Sequence, residues 1–373
     1  MELKPLVIKG KTIQFPVFQG GMGIGVSLYT LSGSVAAEGG AGIISSALLH
    51  EVGMSKKIHK KTSPYQAVID EIMHARNIAN GGYVGMNIMV KLVRDFDESV
   101  RGSLDADVDA IICGAGLPLS LPKIQKPKDT ALIPIVSSLR ALELIMKKWE
   151  RGGYRPDAVI VEGPLAGGHL GFDFNDIENP ACSLEAIFLP IKDYAMSHGD
   201  FPVIVAGGIY AHLDIINWQK KGADGAQMGM RFAVTEESSA NEMYKQAVMR
   251  CQKSDIVVLD AKYNPPGSPS KFSFRALKDS PVLTNQMERK PLCSRGALLQ
   301  KDEHGFYTQC PAKDDCKNFF CICNCLAAVS EFAPDSKESP FQIWTVGANA
   351  YRVNKILSVH SLMNRLKGLE KDD

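Results

Sequence analysis

The stretch Pro202-Val203-Ile204-Val205-Ala206-Gly207-Gly208-Ile209, followed by His212–Lys220 and then Asp224-Gly225-Ala226-Gln227-Met228-Gly229, decides the fold. A Val/Ile run ends in small residues, a segment of helical character follows, and a second apolar run opens. The runs lack strict alternation of apolar and polar residues, as expected of parallel strands buried on both faces. Strand, helix and strand in that order make the crossover unit of a parallel sheet.

The pattern recurs on the N-terminal side. Further apolar runs lie at Phe15–Gly20, Gly42–Ser46, Tyr83–Val90, Ala110–Gly114, Ala131–Ser137 and Ala158–Glu162. Pro64–Ala79 places Val68, Ile72, Ala75 and Ile78 at helical spacing behind Ser63, a candidate N-cap. Leu139–Trp149 and Leu184–Met196 read as further helices. Eight such units predict an α/β protein, a closed (β/α)8 TIM barrel, with a doubly wound open sheet as the alternative. The regularity stops near residue 260. Tyr263–Ser270 is rich in Pro, Gly and Ser, Ala333–Pro340 is turn-prone, and Val353–Leu366 reads as a closing amphipathic helix. The predicted organisation is a barrel over 1–260 and 341–373 with a Cys-rich insertion, 261–340, before the C-terminal helix.

The chain has 373 residues, with 42 Lys and Arg against 41 Asp and Glu. A net charge of +1 argues against nucleic acid or a membrane surface as the main partner. Met1-Glu2-Leu3-Lys4-Pro5 lacks the basic and apolar regions of a signal peptide, and no run of about 18 apolar residues occurs. A cytoplasmic protein is expected. The oligomeric state stays open, a homodimer among the options. Of nine cysteines, Cys293, Cys310, Cys316, Cys321, Cys323 and Cys325 are crowded together. In a reducing compartment such crowding reads as metal or redox chemistry.

Active sites of these barrels form at the C-terminal strand ends. There the sequence offers Gln19-Gly20-Gly21-Met22-Gly23, Asn87, Glu162-Gly163-Pro164-Leu165-Ala166-Gly167-Gly168-His169, Gly207-Gly208 and Gln227-Met228-Gly229. The last two loops suit a phosphate, because glycine lets backbone N–H groups approach an anion. Each alone could be a simple turn; together, after the seventh and eighth strands, they favour a phosphate site. His169 is the acid–base candidate, since imidazole titrates near neutral pH. A hydrogen-bonded loop histidine is the plain alternative. Glu162 reads either as a buried cofactor partner or as a salt-bridge residue.

These segments resemble the nitronate monooxygenase and enoyl-acyl-carrier-protein reductase II family of FMN-dependent barrels. The carrying motifs are Phe18–Gly23, Glu162–His169, Ala206-Gly207-Gly208-Ile209 and Gly225–Gly229. Ile160–Pro164 and Gly347-Ala348-Asn349-Ala350-Tyr351-Arg352-Val353 look more closely like the bacterial acyl-carrier-protein dehydrogenase/isomerases, a branch with FMN and a [4Fe-4S] cluster. The resemblance implies His169 as general base. It implies flavin contacts at Gln19, Gly20, Gly21, Met22, Asn87, Glu162, Gly168, Gly207, Gly208, Gln227, Met228 and Gly229. Met230 stands where the family usually has Thr, which removes a hydroxyl contact to phosphate.

The cysteine spacing, Cys310-x5-Cys316-x4-Cys321-x-Cys323-x-Cys325, is irregular for zinc. Iron–sulfur ligation needs four thiolates. The expected ligands are Cys293, Cys310, Cys316 and Cys321, with Cys323 or Cys325 as a substitute; zinc and free thiols stay open. The leading expectation is an FMN oxidoreductase acting on a small-molecule or acyl-carrier-protein-bound acyl substrate. Nitronate oxidation with dioxygen, NAD(P)H-driven enoyl reduction and a flavin-binding redox sensor are the competing readings.

Overall fold

The structure, a computed structural model, describes residues 3–53, 62–260, 273–284, 295–301, 307–315, 319–332 and 341–372. Eight parallel strands close into a barrel: β1 (Val17–Gln19), β2 (Ala41–Ser45), β3 (Tyr83–Met89), β4 (Ala110–Gly114), β5 (Ala131–Val136), β6 (Val159–Glu162), β7 (Val203–Ala206) and β8 (Gly225–Met228). Each pairs with its neighbours in sequence order, and β8 returns to β1 through Gln227 opposite Phe18. The TIM barrel expected from the repeating units is therefore the fold.

The strands are apolar on both faces because both are buried. Phe18, Ile43, Ile112, Ile133, Ile160 and Ile204 fill the barrel interior. Val17, Ile44, Val84, Ile111, Val159 and Val203 point outward to the helices. Helices Pro64–Ala79 and His212–Lys220 have the predicted bounds, and the Ser63 side chain caps the first by accepting from Gln66 N at 3.2 Å. An N-terminal hairpin, Leu6–Ile8 with Lys11–Ile13, was not anticipated. Its Leu6, Ile8 and Ile13 join the interior cluster and plug the barrel's N-terminal end.

The closing helix is shorter than expected. It runs Val359–Lys367, not Val353–Leu366, because Ser358 accepts from Ser361 N and fixes its start. Ile356 and Leu357 precede it in extended chain, where Leu357 bridges Thr235. The described part of the late segment packs onto the barrel. Phe320, Cys321, Ile322, Cys323 and Cys325 are buried in a cluster with Ile24, Leu48, Val52, Phe274 and Leu298. A short helix, Ile322–Ala327, carries part of that layer. The segment thus needs no self-sufficient core, because Ile24, Ala47, Leu48, Val52 and Leu92 of the barrel loops pack into its layer.

A second small sheet ties this region to the barrel mouth. Ile256–Leu259 pairs antiparallel with Phe274–Leu277, which pairs in turn with Gly168–His169. Among the described residues, no helix is long and apolar enough to cross a membrane.

Candidate active site

The C-terminal strand ends surround a cavity of about 480 Å³, within the usual range for small-molecule sites. Gly20, Gly21, Met22, Asn87, Glu162, Gly168, His169, Gly207, Gly208, Gln227, Met228 and Gly229 all line it. Gln19 does not. Its buried amide is spent behind the wall: Nε2 donates to Ser27 Oγ at 2.8 Å, and Oε1 accepts from Ile43 N at 3.1 Å. It shapes the first glycine turn instead of facing the cavity.

The glycine loops are needed as glycine. Gly207 and Gly208 have φ of +97° and +81°. A Cβ on Gly207 would lie 2.9 Å from Gly163 O, and one on Gly208 would lie 2.9 Å from Leu165 Cδ1. Asn349 Nδ2 donates to Gly208 O at 2.7 Å and holds that loop from the C-terminal side. Asn87 Nδ2 donates to Gly21 O at 2.8 Å, leaving its buried Oδ1 without a partner. An unmet buried acceptor beside a glycine-lined hollow fits a ligand that brings its own donors. A glycine cradle at Gly207 and Gly208 and a hollow lined by Gly20, Gly21 and Asn87 fit a flavin mononucleotide.

His169 faces the same hollow. Burial pushes its imidazole down to about 4, with the Lys91 charge adding to the shift. It is neutral at pH 7 and so able to accept a proton. Burial alone pushes the Glu162 carboxyl up to about 7. The sequence reasoning missed Lys91, two residues beyond β3. It also missed Leu298, Ile322, Cys323 and Leu326, which line the cavity from the late segment. Lys91 could have been found by its place just past a strand end; the others depend on a docking that local sequence does not encode.

Residues 4–368 match the sequence profile described as nitronate monooxygenase. The chain belongs to the nitronate monooxygenase family. A probable nitronate monooxygenase of Staphylococcus haemolyticus is 27% identical over 66% of this chain and 72% of its own length. One from Staphylococcus saprophyticus is 24% identical over 79% of this chain and 89% of its own. Among solved structures, FabK from Thermotoga maritima superposes with a TM-score of 0.66 at 23% identity, over 95% of this chain and 92% of its own. Nitroalkane oxidase from Streptomyces ansochromogenes gives 0.65 at 20% identity, over 95% of each chain. These two likenesses show the shared fold. As a member of the family, the chain is an oxidoreductase.

Of the expected metal ligands, Cys293 and Cys316 lie outside the described residues. Cys310 and Cys321 are buried in the late cluster. Burial, with Cys321 and Cys323 close by, raises the Cys325 thiol well above its ordinary range. Arg295, which pairs with Glu51 and donates to Asn324 Oδ1 at 2.7 Å, faces Cys321 and Cys323. Among the described residues, no three His, Cys, Asp or Glu side chains are arranged to hold a metal ion.

Proposed function

We propose that this protein is an FMN-dependent oxidoreductase that dehydrogenates or isomerises an acyl thioester, presented on acyl carrier protein. The observation that carries the reading is one cavity joining a glycine cradle, a neutral imidazole and an apolar wall. Leu298, Ile322 and Leu326 offer that wall to an alkyl chain, which a small nitronate would leave largely unfilled. FMN, when bound, would supply the acceptor for a hydride leaving the substrate carbon.

The protein's own residues supply the rest. His169 takes the acidic proton next to the thioester carbonyl as the hydride leaves the neighbouring carbon. An imidazole that is uncharged across the neutral range accepts that proton without first losing one. Lys91, on the same wall, offers positive charge to the negative charge that develops on the carbonyl oxygen. The apolar wall from Ile322–Ala327 keeps water from the reacting carbons.

In the same reading, residues 1–260 and 341–373 form the cofactor barrel and 261–340 the insertion. Cys293, Cys310, Cys316 and Cys321 are read as ligands of a [4Fe-4S] cluster; the support is that Cys310 and Cys321 share one buried layer with Cys323 and Cys325. The names of the relatives favour a second reading, oxidation of alkyl nitronates by dioxygen.

The test is anaerobic purification followed by metal analysis, a visible spectrum, and mixing with a medium-chain acyl-pantetheine thioester and with ethylnitronate. Flavin bleaching by the thioester supports the acyl reading. Bleaching by nitronate alone replaces it with the second. Stoichiometric zinc, or no metal, removes the cluster. Cys321→Ser should lose iron and activity together.

A further inference from the structure

The loop that delivers His169 is poorly equipped to hold itself. Gly163-Pro164-Leu165-Ala166-Gly167-Gly168 contains three glycines, and Gly168 sits at φ +70°. Glycine loses more conformational freedom on ordering than any other residue, so such a loop needs bonds from outside.

Those bonds come from a segment more than 100 residues away. Arg275 is buried, and its Nη1 donates to Pro164 O at 2.7 Å and to Ala166 O at 2.5 Å. Its backbone lies opposite Gly168, and Phe274 lies opposite His169. Leu170 N donates to Ser273 O at 2.8 Å, so the ladder continues past the histidine. Val346 N donates to Arg275 O at 3.1 Å, which fixes the arginine from its other side. No carboxylate among the described residues is paired with Arg275. A buried cation kept without a counter-ion costs desolvation, and here two carbonyls of the histidine loop take that charge.

We propose that Arg275 is the positioning residue for His169. It clamps the Pro164 and Ala166 carbonyls so that the imidazole meets the substrate carbon in reacting geometry. The inference rests on His169 being the base. An arginine holding only the general fold would make no distinction between this loop and the rest of the barrel.

The experiment compares Arg275→Met and Arg275→Lys holoenzymes. With medium-chain acyl-pantetheine thioester or ethylnitronate, whichever wild type turns over, Arg275→Met should keep its flavin and lose about 10²-fold in kcat, with KM within about threefold. Arg275→Lys should recover part of the loss, because it restores the cation without the reach to both carbonyls. Hydrogen exchange provides the second readout: amides around His169 and Leu170 should exchange faster in both variants, while β6 (Val159–Glu162) is unchanged. An unchanged kcat overturns the proposal whatever exchange shows. Exchange that quickens equally across the barrel strands also overturns it and reduces Arg275 to a fold residue. His169→Ala serves as the control. If it keeps full activity, the base assignment fails, and the exchange contrast still reports separately whether Arg275 holds the strand.

Discussion

Phe274 lies directly opposite His169 in an antiparallel ladder, their ring centroids 6.4 Å apart. The same phenylalanine packs edge-on against Phe320, 6.0 Å away, in the late cysteine-bearing layer. One aromatic ring therefore joins the proposed base to a segment remote in sequence. His169→Ala should keep flavin and lose about 10²–10⁴-fold in turnover, as removal of a general base does. Steady-state rates on flavin-replete protein check this; a loss under about tenfold demotes the residue to a bystander.

The imidazole of His169 should titrate well below a free histidine. Burial, with the Lys91 charge beside it, pushes the ring down from the ordinary 6.5 to about 4. The base is active when neutral, so activity limited by this group should hold as pH falls through 6.5 and drop only toward 4. Stability moves in the same window. Between those values the unfolded chain binds a proton that the folded chain refuses, so this group subtracts stability as pH falls. Imidazole resonances of flavin-free protein, followed by NMR, give the midpoint directly; one near 6.5 would show that the ring is solvated.

Gly208 and Gly81 make a matched pair, both at φ +81°. A Cβ on Gly81 meets open space, whereas on Gly208 it meets Leu165. Both alanine variants should suffer the left-handed strain, about 1–2 kcal/mol. Gly208→Ala should additionally lose flavin on gel filtration, and Gly208→Asp should hold none, because a carboxylate would face the phosphate. A yellow, fully loaded Gly208→Asp protein would move the phosphate site elsewhere.

Arg231 donates to Tyr210 O at 3.0 Å and makes a two-pronged pair with Asp372, the Nη1 bond measuring 2.7 Å. Tyr210 follows the Gly207–Gly208 loop, so this pair braces a loop of the cofactor cradle. Asp372 is partly exposed, which limits the expected loss for Asp372→Asn to about 1 kcal/mol. Thermal melting should fall by a few degrees, more steeply in the flavin-free form than in the loaded one.

Ile322 and Leu326 should set the preferred acyl length. Leu326→Trp would shorten the apolar wall and shift the kcat/KM optimum toward shorter thioesters, with ethylnitronate turnover unchanged. A uniform loss across chain lengths would mean that the chain lies elsewhere.

The barrel was legible because its signal is local. The Val/Ile runs fell within two residues of the observed strands, and Pro64–Ala79 announced itself through Ser63 and its apolar spacing. What escaped depends on distance along the chain. Arg275 is an ordinary arginine in a featureless stretch, and its partner carbonyls lie 109 and 111 residues away. The strands of the Leu6–Ile13 hairpin span three residues each, too few for a period to register. Gln19 had the right address, at a strand end, but the neighbouring turn consumed its amide. The glycine loops were readable by type, whereas the role of Ile322 appears only once its helix has docked.

The plug formed by Leu6, Ile8 and Ile13 has a kinetic corollary. With the barrel axis filled and its far end stoppered, traffic is confined to the mouth above the strand ends. Among the described residues, nothing opens the interior from below, so reactants and products meet at the strand-end face. A product that lingers there would stand in the way of the next reactant. Product added at the start of the assay should therefore slow turnover by competing with substrate.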